Sequence, residues 1–207
     1  MTTPPGWPVE LAHGDVAVRP FHRGDAAAWS EVRLANEAWL AEWESLPPGT
    51  FGSYAERHTP GAFRRLNRTL RASTRAGTHM SFAVTHEGRL AGQVTVGNIV
   101  RASFNSAYLG YWVDGRLAGR GIAPVAIALV TDHCLGPGAL HRLEANVRPE
   151  NIASRRVMDK LGFREEGLHR RYLLINGVYR DHIGYAVTVE DAPGGVLRRY
   201  LESRGGG

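Results

Sequence analysis

Tyr111-Trp112-Val113-Asp114-Gly115-Arg116-Leu117-Ala118-Gly119-Arg120-Gly121-Ile122-Ala123 reads as the end of a strand, a glycine-rich loop and the start of a helix. The strand side is the aromatic-rich run Ala107–Val113. The helix side is Ile122–Cys134, apolar through Val125, Ile127, Ala128, Leu129 and Val130 and stopped by Gly136-Pro137-Gly138. Glycines let the backbone approach a ligand closely, and a helix N-terminus presents unpaired N–H groups with a partial positive charge. Together they suit a phosphate group without any metal, and Arg120 adds a charge inside the loop. A plain glycine-rich turn would use the same residues, so the loop has to be weighed with its surroundings. It is not a P-loop, because no Gly-Lys-Ser/Thr follows. It is not a dinucleotide fingerprint, because Pro124 stands where the third glycine should be.

Upstream, Ser81–Thr85 and Leu90–Val100 alternate like strands around the Glu87-Gly88 turn, and Ser103–Ser106 turns the chain into Ala107–Val113. A short strand at Val16, Val18 and Pro20 precedes them. Two helices are expected between: one opened by Asp25 as N-cap, with Trp29, Val32, Leu34, Ala38 and Leu40 at roughly helical spacing, and one over Ser53–Ala76 with Phe63, Leu66 and Leu70 as its stripe. Downstream come a short strand Leu143–Val147, a helix Asn151–Leu161 closed by Gly162, and two strands, Leu168–Ile175 and Val178–Val189. Asn176-Gly177 between those two strands is a strong hairpin signal. The pattern predicts an α+β fold with a mixed, mostly antiparallel twisted sheet flanked by helices. One domain is expected over 9–192, with 1–8 and 193–207 as peripheral tails.

The chain has 207 residues, 43% hydrophobic and 22% charged, enough for a substantial core. One cysteine, Cys134, permits no internal disulfide and suits a reducing compartment. No apolar run approaches the roughly 20 residues of a membrane span, and Met1–Val9 lacks the charged and apolar regions of a signal peptide. A cytoplasmic protein with no membrane partner is expected. The net charge of +5 admits an anionic partner or an ordinary solvated surface, and the basic residues are scattered rather than gathered into a tract, so direct nucleic-acid binding is not expected.

The spacing Arg116-x-x-Gly119-x-Gly121 resembles the acetyl-CoA pyrophosphate loop of the GNAT superfamily of N-acetyltransferases. The segment Asn146-Val-Arg-Pro-Glu-Asn151-Ile-Ala-Ser154-Arg-Arg-Val157-Met158-Asp-Lys-Leu161-Gly162-Phe163 resembles that superfamily's second cofactor motif. Glu165–His182 resembles the closing hairpin of the ribosomal-protein-alanine N-acetyltransferases of the RimJ and RimL type. Tyr172–His182, Leu40–Glu44 and Ala102–Phe104 lean towards the RimJ type.

This resemblance implies a GNAT-like fold, acetyl-CoA as co-substrate with no metal, and as acceptor the N-terminus, Ala first, of a ribosomal or other protein, a small-subunit ribosomal protein among them, and it leaves the oligomeric state open. It implies cofactor contacts from Tyr111, Trp112, Val113, Arg116, Ala118, Gly119, Arg120, Gly121, Ile122, Ala123, Asn146, Asn151 and Ser154. Among these, the backbone of Tyr111–Val113 would polarise the thioester carbonyl, beside a splay near Glu144–Asn146. Asn151 would meet the pantetheine arm or simply cap its helix.

The tyrosine that protonates the leaving thiolate in many relatives is Met158 here. Ser154 matches the serine of the RimL type and is the candidate acid, or else a helix-surface serine. The position of the RimL-type glutamate reads Leu173. Glu44 is the candidate base, or else a loop carboxylate, with Asp181 and His182 as weaker candidates. Two rival functions remain: acetylation of a small amine such as an amino acid, polyamine or aminoglycoside, and acyl-CoA sensing without catalysis, which Met158 would permit.

Overall fold

The computed structural model describes residues 2–205. Met1, Gly206 and Gly207 lie outside the described residues, and with them the extreme ends of both expected tails. The strands are β1 (Leu11–His13), β2 (Val16–Pro20), β3 (Met80–His86), β4 (Arg89–Val100), β5 (Ser106–Val113), β6 (Arg142–Val147), β7 (Arg164–Ile175) and β8 (Val178–Thr188). The helices are α1 (Ala26–Ala35), α2 (Glu37–Leu40), α3 (Tyr54–Arg57), α4 (Pro60–Arg75), α5 (Ile122–Leu135), α6 (Ile152–Lys160) and α7 (Val196–Gly205). The strands form one sheet in the order β1-β2-β3-β4-β5-β6-β8-β7. Within it β5 and β6 pair in parallel, and the other neighbours are antiparallel. The expected mixed, mostly antiparallel sheet is the one found.

Alternation along the strands sorts side chains onto two faces. On β3, Phe82 and Val84 join α5 in the main core, while Ala83 faces the other way, towards Phe21, Trp29 and Phe63 from the α1 and α4 side. On β5, Tyr111 and Val113 belong to the α5 face and Trp112 to the α1/α4 face. Cys134 is fully buried in α5.

Four local readings change. The single helix expected after Asp25 breaks at Asn36, whose side-chain amide donates back to the Val32 carbonyl (2.8 Å), so Leu34 is left 41% exposed. Asp25 does not cap α1: its carboxylate takes Arg19 and the His22 N–H instead. The helix expected over Ser53–Ala76 is two, since Ser53 and Thr59 each cap a new start and Pro60 opens the second. β1 is too short and too exposed for alternation to reveal it.

Among the described residues, neither tail is peripheral. Trp7 packs edge-on against Phe82, with ring centroids 4.9 Å apart. The segment after residue 192 forms α7, with Val196 and Tyr200 inside the main core. Apolar side chains at helical spacing bury against α5, which outweighs the weak helix signal of Pro193, Gly194 and Gly195 before them.

Candidate active site

Three pieces build the site: the strand β5, the loop to α5, and the turn into α6. β5 and β6 pair over Ser106–Tyr108 with Arg142–Glu144 and then part. Leu109–Val113 therefore faces Ala145–Val147 across an opening, the splay anticipated near Glu144–Asn146. Asn146 sits in the parted half of β6, opposite Gly184 of β8.

The Asp114 N–H donates to the Ala91 carbonyl of β4 (2.8 Å), so Asp114 continues the β4–β5 register. Hydrogen-bonded and non-bonded pairs alternate along an antiparallel ladder. Gly110 and Trp112 thus bond towards β4, and the N–H groups of Leu109, Tyr111 and Val113 point into the opening. Of the Tyr111–Val113 backbone, the N–H groups of Tyr111 and Val113 face the opening while that of Trp112 does not, and Leu109 joins them.

The loop is fastened from below. Buried Asp114 accepts from the Arg116 N–H (3.0 Å) and from the Arg116 guanidinium, and Asn36 Nδ2 donates to it (3.0 Å). Asn36 Oδ1 accepts from the Gly115 N–H (2.7 Å). Burial alone would raise the Asp114 carboxyl, but the hydrogen bonds from Arg116 and Asn36 outweigh it and hold the group ionised. A Cβ on Gly115 would sit 2.9 Å from the Trp39 ring, so only glycine fits there. Gly119 and Gly121 both take the left-handed conformation, φ +81 and +82. The first bond of α5 runs from the Val125 N–H to the Gly121 carbonyl. Among the described residues, the N–H groups of Gly119, Gly121, Ile122 and Ala123 find no acceptor in the protein. Pro124, in the first turn, has no N–H to lose. Four unpartnered donors at the N-terminus of a 14-residue helix suit an anion. Ala118 and Arg120 lie exposed on the rim, whereas the Arg116 guanidinium is turned back onto Asp114.

At α6, Asn151 is a true N-cap: its side-chain oxygen accepts the Ser154 N–H at 3.0 Å. Its amide nitrogen remains available to a ligand. Ser154 Oγ lies 2.7 Å from the Tyr111 hydroxyl. Burial pushes the Tyr111 phenol up to about 12, against a smaller opposing effect of Ser154, so it stays protonated at neutral pH. Met158 is fully buried in the core and takes no part.

Glu44 is not the free carboxylate a base would be. It contacts Arg33, accepts from Arg57 (3.3 Å) and lies 3.0 Å from His58 Nε2, and its side chain is 17% exposed. Burial raises its carboxyl, but the His58 hydrogen bond and the Arg33 and Arg57 contacts outweigh that and hold it below the usual carboxylate range. Such a group has little affinity for a further proton. Its neighbour Trp43 packs under the Arg148 guanidinium, 5.0 Å from the ring centre, and the β7–β8 hairpin closes over this segment through Ser45 and Ile175. Asp181 accepts the Arg171 N–H (2.7 Å) rather than pairing with Arg180, and His182 is buried against the Arg180 carbonyl.

Sequence reasoning missed Asn36, the side chains of Tyr111 and Asp114, and α7. The aspartate ending an apolar strand and the apolar residues at helical spacing after residue 195 were usable signals for Asp114 and α7; Asn36 and the Tyr111–Ser154 contact had none.

A family model described as an acetyltransferase (GNAT) domain matches residues 15–164. The chain is similar to the solved structure of Mycobacterium smegmatis RimJ in complex with CoA-disulfide, 40% identical, TM-score 0.93, covering 99% of this chain and 98% of that one. It is 29% identical over 186 residues to the uS5-alanine N-acetyltransferase of Escherichia coli, covering 88% of this chain and 92% of that protein. It is 38% identical over 113 residues to the probable N-acetyltransferase YjcK of Bacillus subtilis, covering 55% of this chain and 62% of that relative.

Proposed function

The chain belongs to the acetyltransferase (GNAT) family, and we propose that it transfers acetyl from acetyl-CoA to the N-terminal α-amine, with Ala first, of a ribosomal protein, one of the small subunit. The observation that carries this reading is the opening between β5 and β6 beside the four-donor cradle. Acetyl-CoA supplies an acyl group already activated as a thioester. The cradle at Gly119, Gly121, Ile122 and Ala123 suits its phosphates, the opening with Asn146 and Asn151 suits its extended arm, and an N–H of β5 is placed to steady negative charge on a carbonyl oxygen. Ser154 serves as hydrogen-bond donor to the departing sulfur. Its own proton is free for that task when the protonated Tyr111 hydroxyl donates to Oγ.

No strong base is needed. An α-amine with pKa about 8 is roughly a tenth neutral at pH 7, so full deprotonation would gain only about tenfold. A lysine amine would need far more, which favours a protein N-terminus. A polyamine or aminoglycoside acceptor would want unpaired carboxylates, and Glu44 is already neutralised by Arg33 and Arg57. A ribosomal acceptor places the reaction in the cytoplasm. No helix among the described residues is long and apolar enough to cross a membrane.

The test is incubation with acetyl-CoA and four acceptors, scored by mass spectrometry: an Ala-initiated ribosomal-type peptide, its N-blocked lysine twin, spermidine and an aminoglycoside. Acetylation of the free Ala amine alone is expected. A small-amine product would overturn the acceptor class, and acetyl-CoA binding with no turnover of any acceptor would favour the sensor reading.

A further inference from the structure

Helix α7 lies beyond the residues that the family model matches and packs antiparallel to α5. At its start, the Asp132 carboxylate from the last turn of α5 accepts the N–H groups of Val196 (2.6 Å) and Leu197 (3.1 Å). Farther along, Arg199 donates to the Leu161 carbonyl at the C-terminal end of α6. Its last turn comes back to the N-terminus of α5. There a Cβ built on Gly121 would lie 3.1 Å from Arg204 Nη1 and 3.4 Å from the Tyr200 hydroxyl. Tyr200 is buried in the core, and the Arg204 guanidinium leans over its ring, 5.8 Å from the centre. A positively charged fork thus stands beside a backbone donor of the cradle.

We propose that Arg204 is a further ligand of the CoA diphosphate, delivered by α7 to the glycine loop at Gly121. This rests on the reading of that loop as the CoA phosphate site. The loop's own motif arginine supports the assignment, because the Arg116 guanidinium is engaged with Asp114, at 2.9 and 3.0 Å through Nε. Backbone dipoles alone supply about half a positive charge, and a guanidinium adds a full charge with a geometry matched to phosphate oxygens. α7 also ties the two helices of the cofactor side together, α5 through Asp132 and α6 through Arg199, so Arg204 sits on a braced element rather than a loose end.

Isothermal titration of the full chain with CoA, 3′-dephospho-CoA and pantetheine tests this, using wild type, Arg204→Gln and Arg204→Lys. Arg204→Gln is expected to weaken CoA and 3′-dephospho-CoA about tenfold each, to leave pantetheine unchanged and to flatten the salt dependence of CoA binding. Arg204→Lys should recover part of the loss. An unchanged Kd for CoA in Arg204→Gln overturns the proposal, and a loss confined to CoA overturns the assignment to the diphosphate. Wild type failing to bind CoA at all would instead overturn the reading of the loop. Thermal denaturation of each variant separates a lost ligand from a displaced α7, since Val196 and Tyr200 rather than Arg204 hold that helix.

Discussion

The Tyr111 hydroxyl lies 2.7 Å from Ser154 Oγ, joining the parted half of β5 to the first turn of α6. Ser154→Ala should lower kcat on the order of 100-fold, with a much smaller change in KM for acetyl-CoA. Tyr111→Phe should cost about 5- to 10-fold in kcat, the worth of one neutral hydrogen bond. The double variant should be no slower than Ser154→Ala, because the phenol acts only through the serine. Additive losses would separate the two residues. With the phenol at about 12, no alkaline fall in kcat below pH 10 should trace to Tyr111.

Gly121→Trp should abolish measurable acetyl-CoA binding. Its φ of +82 disfavours any L side chain, and an indole there would fill the cradle and strike Arg204 and Tyr200. Titration with CoA checks this, and circular dichroism confirms that the sheet survives. An unchanged Kd would remove the loop from the site.

Glu44→Gln should destabilise the fold by about 3 kcal/mol, because Arg33 and Arg57 lose their counter-ion in a site where Glu44 is 17% exposed. Its folded pKa is depressed, so its contribution is complete above the usual carboxylate range and fades as pH falls through the folded value. Urea midpoints of wild type and variant should therefore differ most between pH 6 and 8 and converge at acid pH. The pH profile of kcat/KM should keep its shape in the variant. A new acidic limb in wild type that Glu44→Gln removes would restore Glu44 as the base.

Tyr200→Ala should cost about 3–5 kcal/mol by opening a cavity under α7, and Asp132→Ala about 1 kcal/mol by uncapping it. Chemical denaturation of both variants measures this. Wild-type stability in Tyr200→Ala would mean that α7 is an appendage.

Cys134 should not react with a thiol reagent in the native state, since it is fully buried and burial raises its pKa to about 12. Labelling should need denaturant. Thiol release measured during turnover should then come from CoA alone.

Local chemistry determined much of this molecule. Alternation gave away β3 and β4, Asn176-Gly177 with φ of +49 and +78 announced the β7–β8 hairpin, and glycines at 119 and 121 marked a left-handed loop before a helix. These depend on neighbours in the chain, so they can be read one residue after another. The parting of β5 from β6, the Tyr111–Ser154 bond and the return of Arg204 to Gly121 depend on where separate elements come to rest. So does the fate of Glu44, which looks like an open carboxylate beside Trp43 until α1 and α3 bring Arg33, Arg57 and His58 around it. Periodicity reports which face of an element is buried but not which distant charge or hydroxyl will meet it. Those meetings form only as the core closes and excludes water, and so only the tertiary structure decided them.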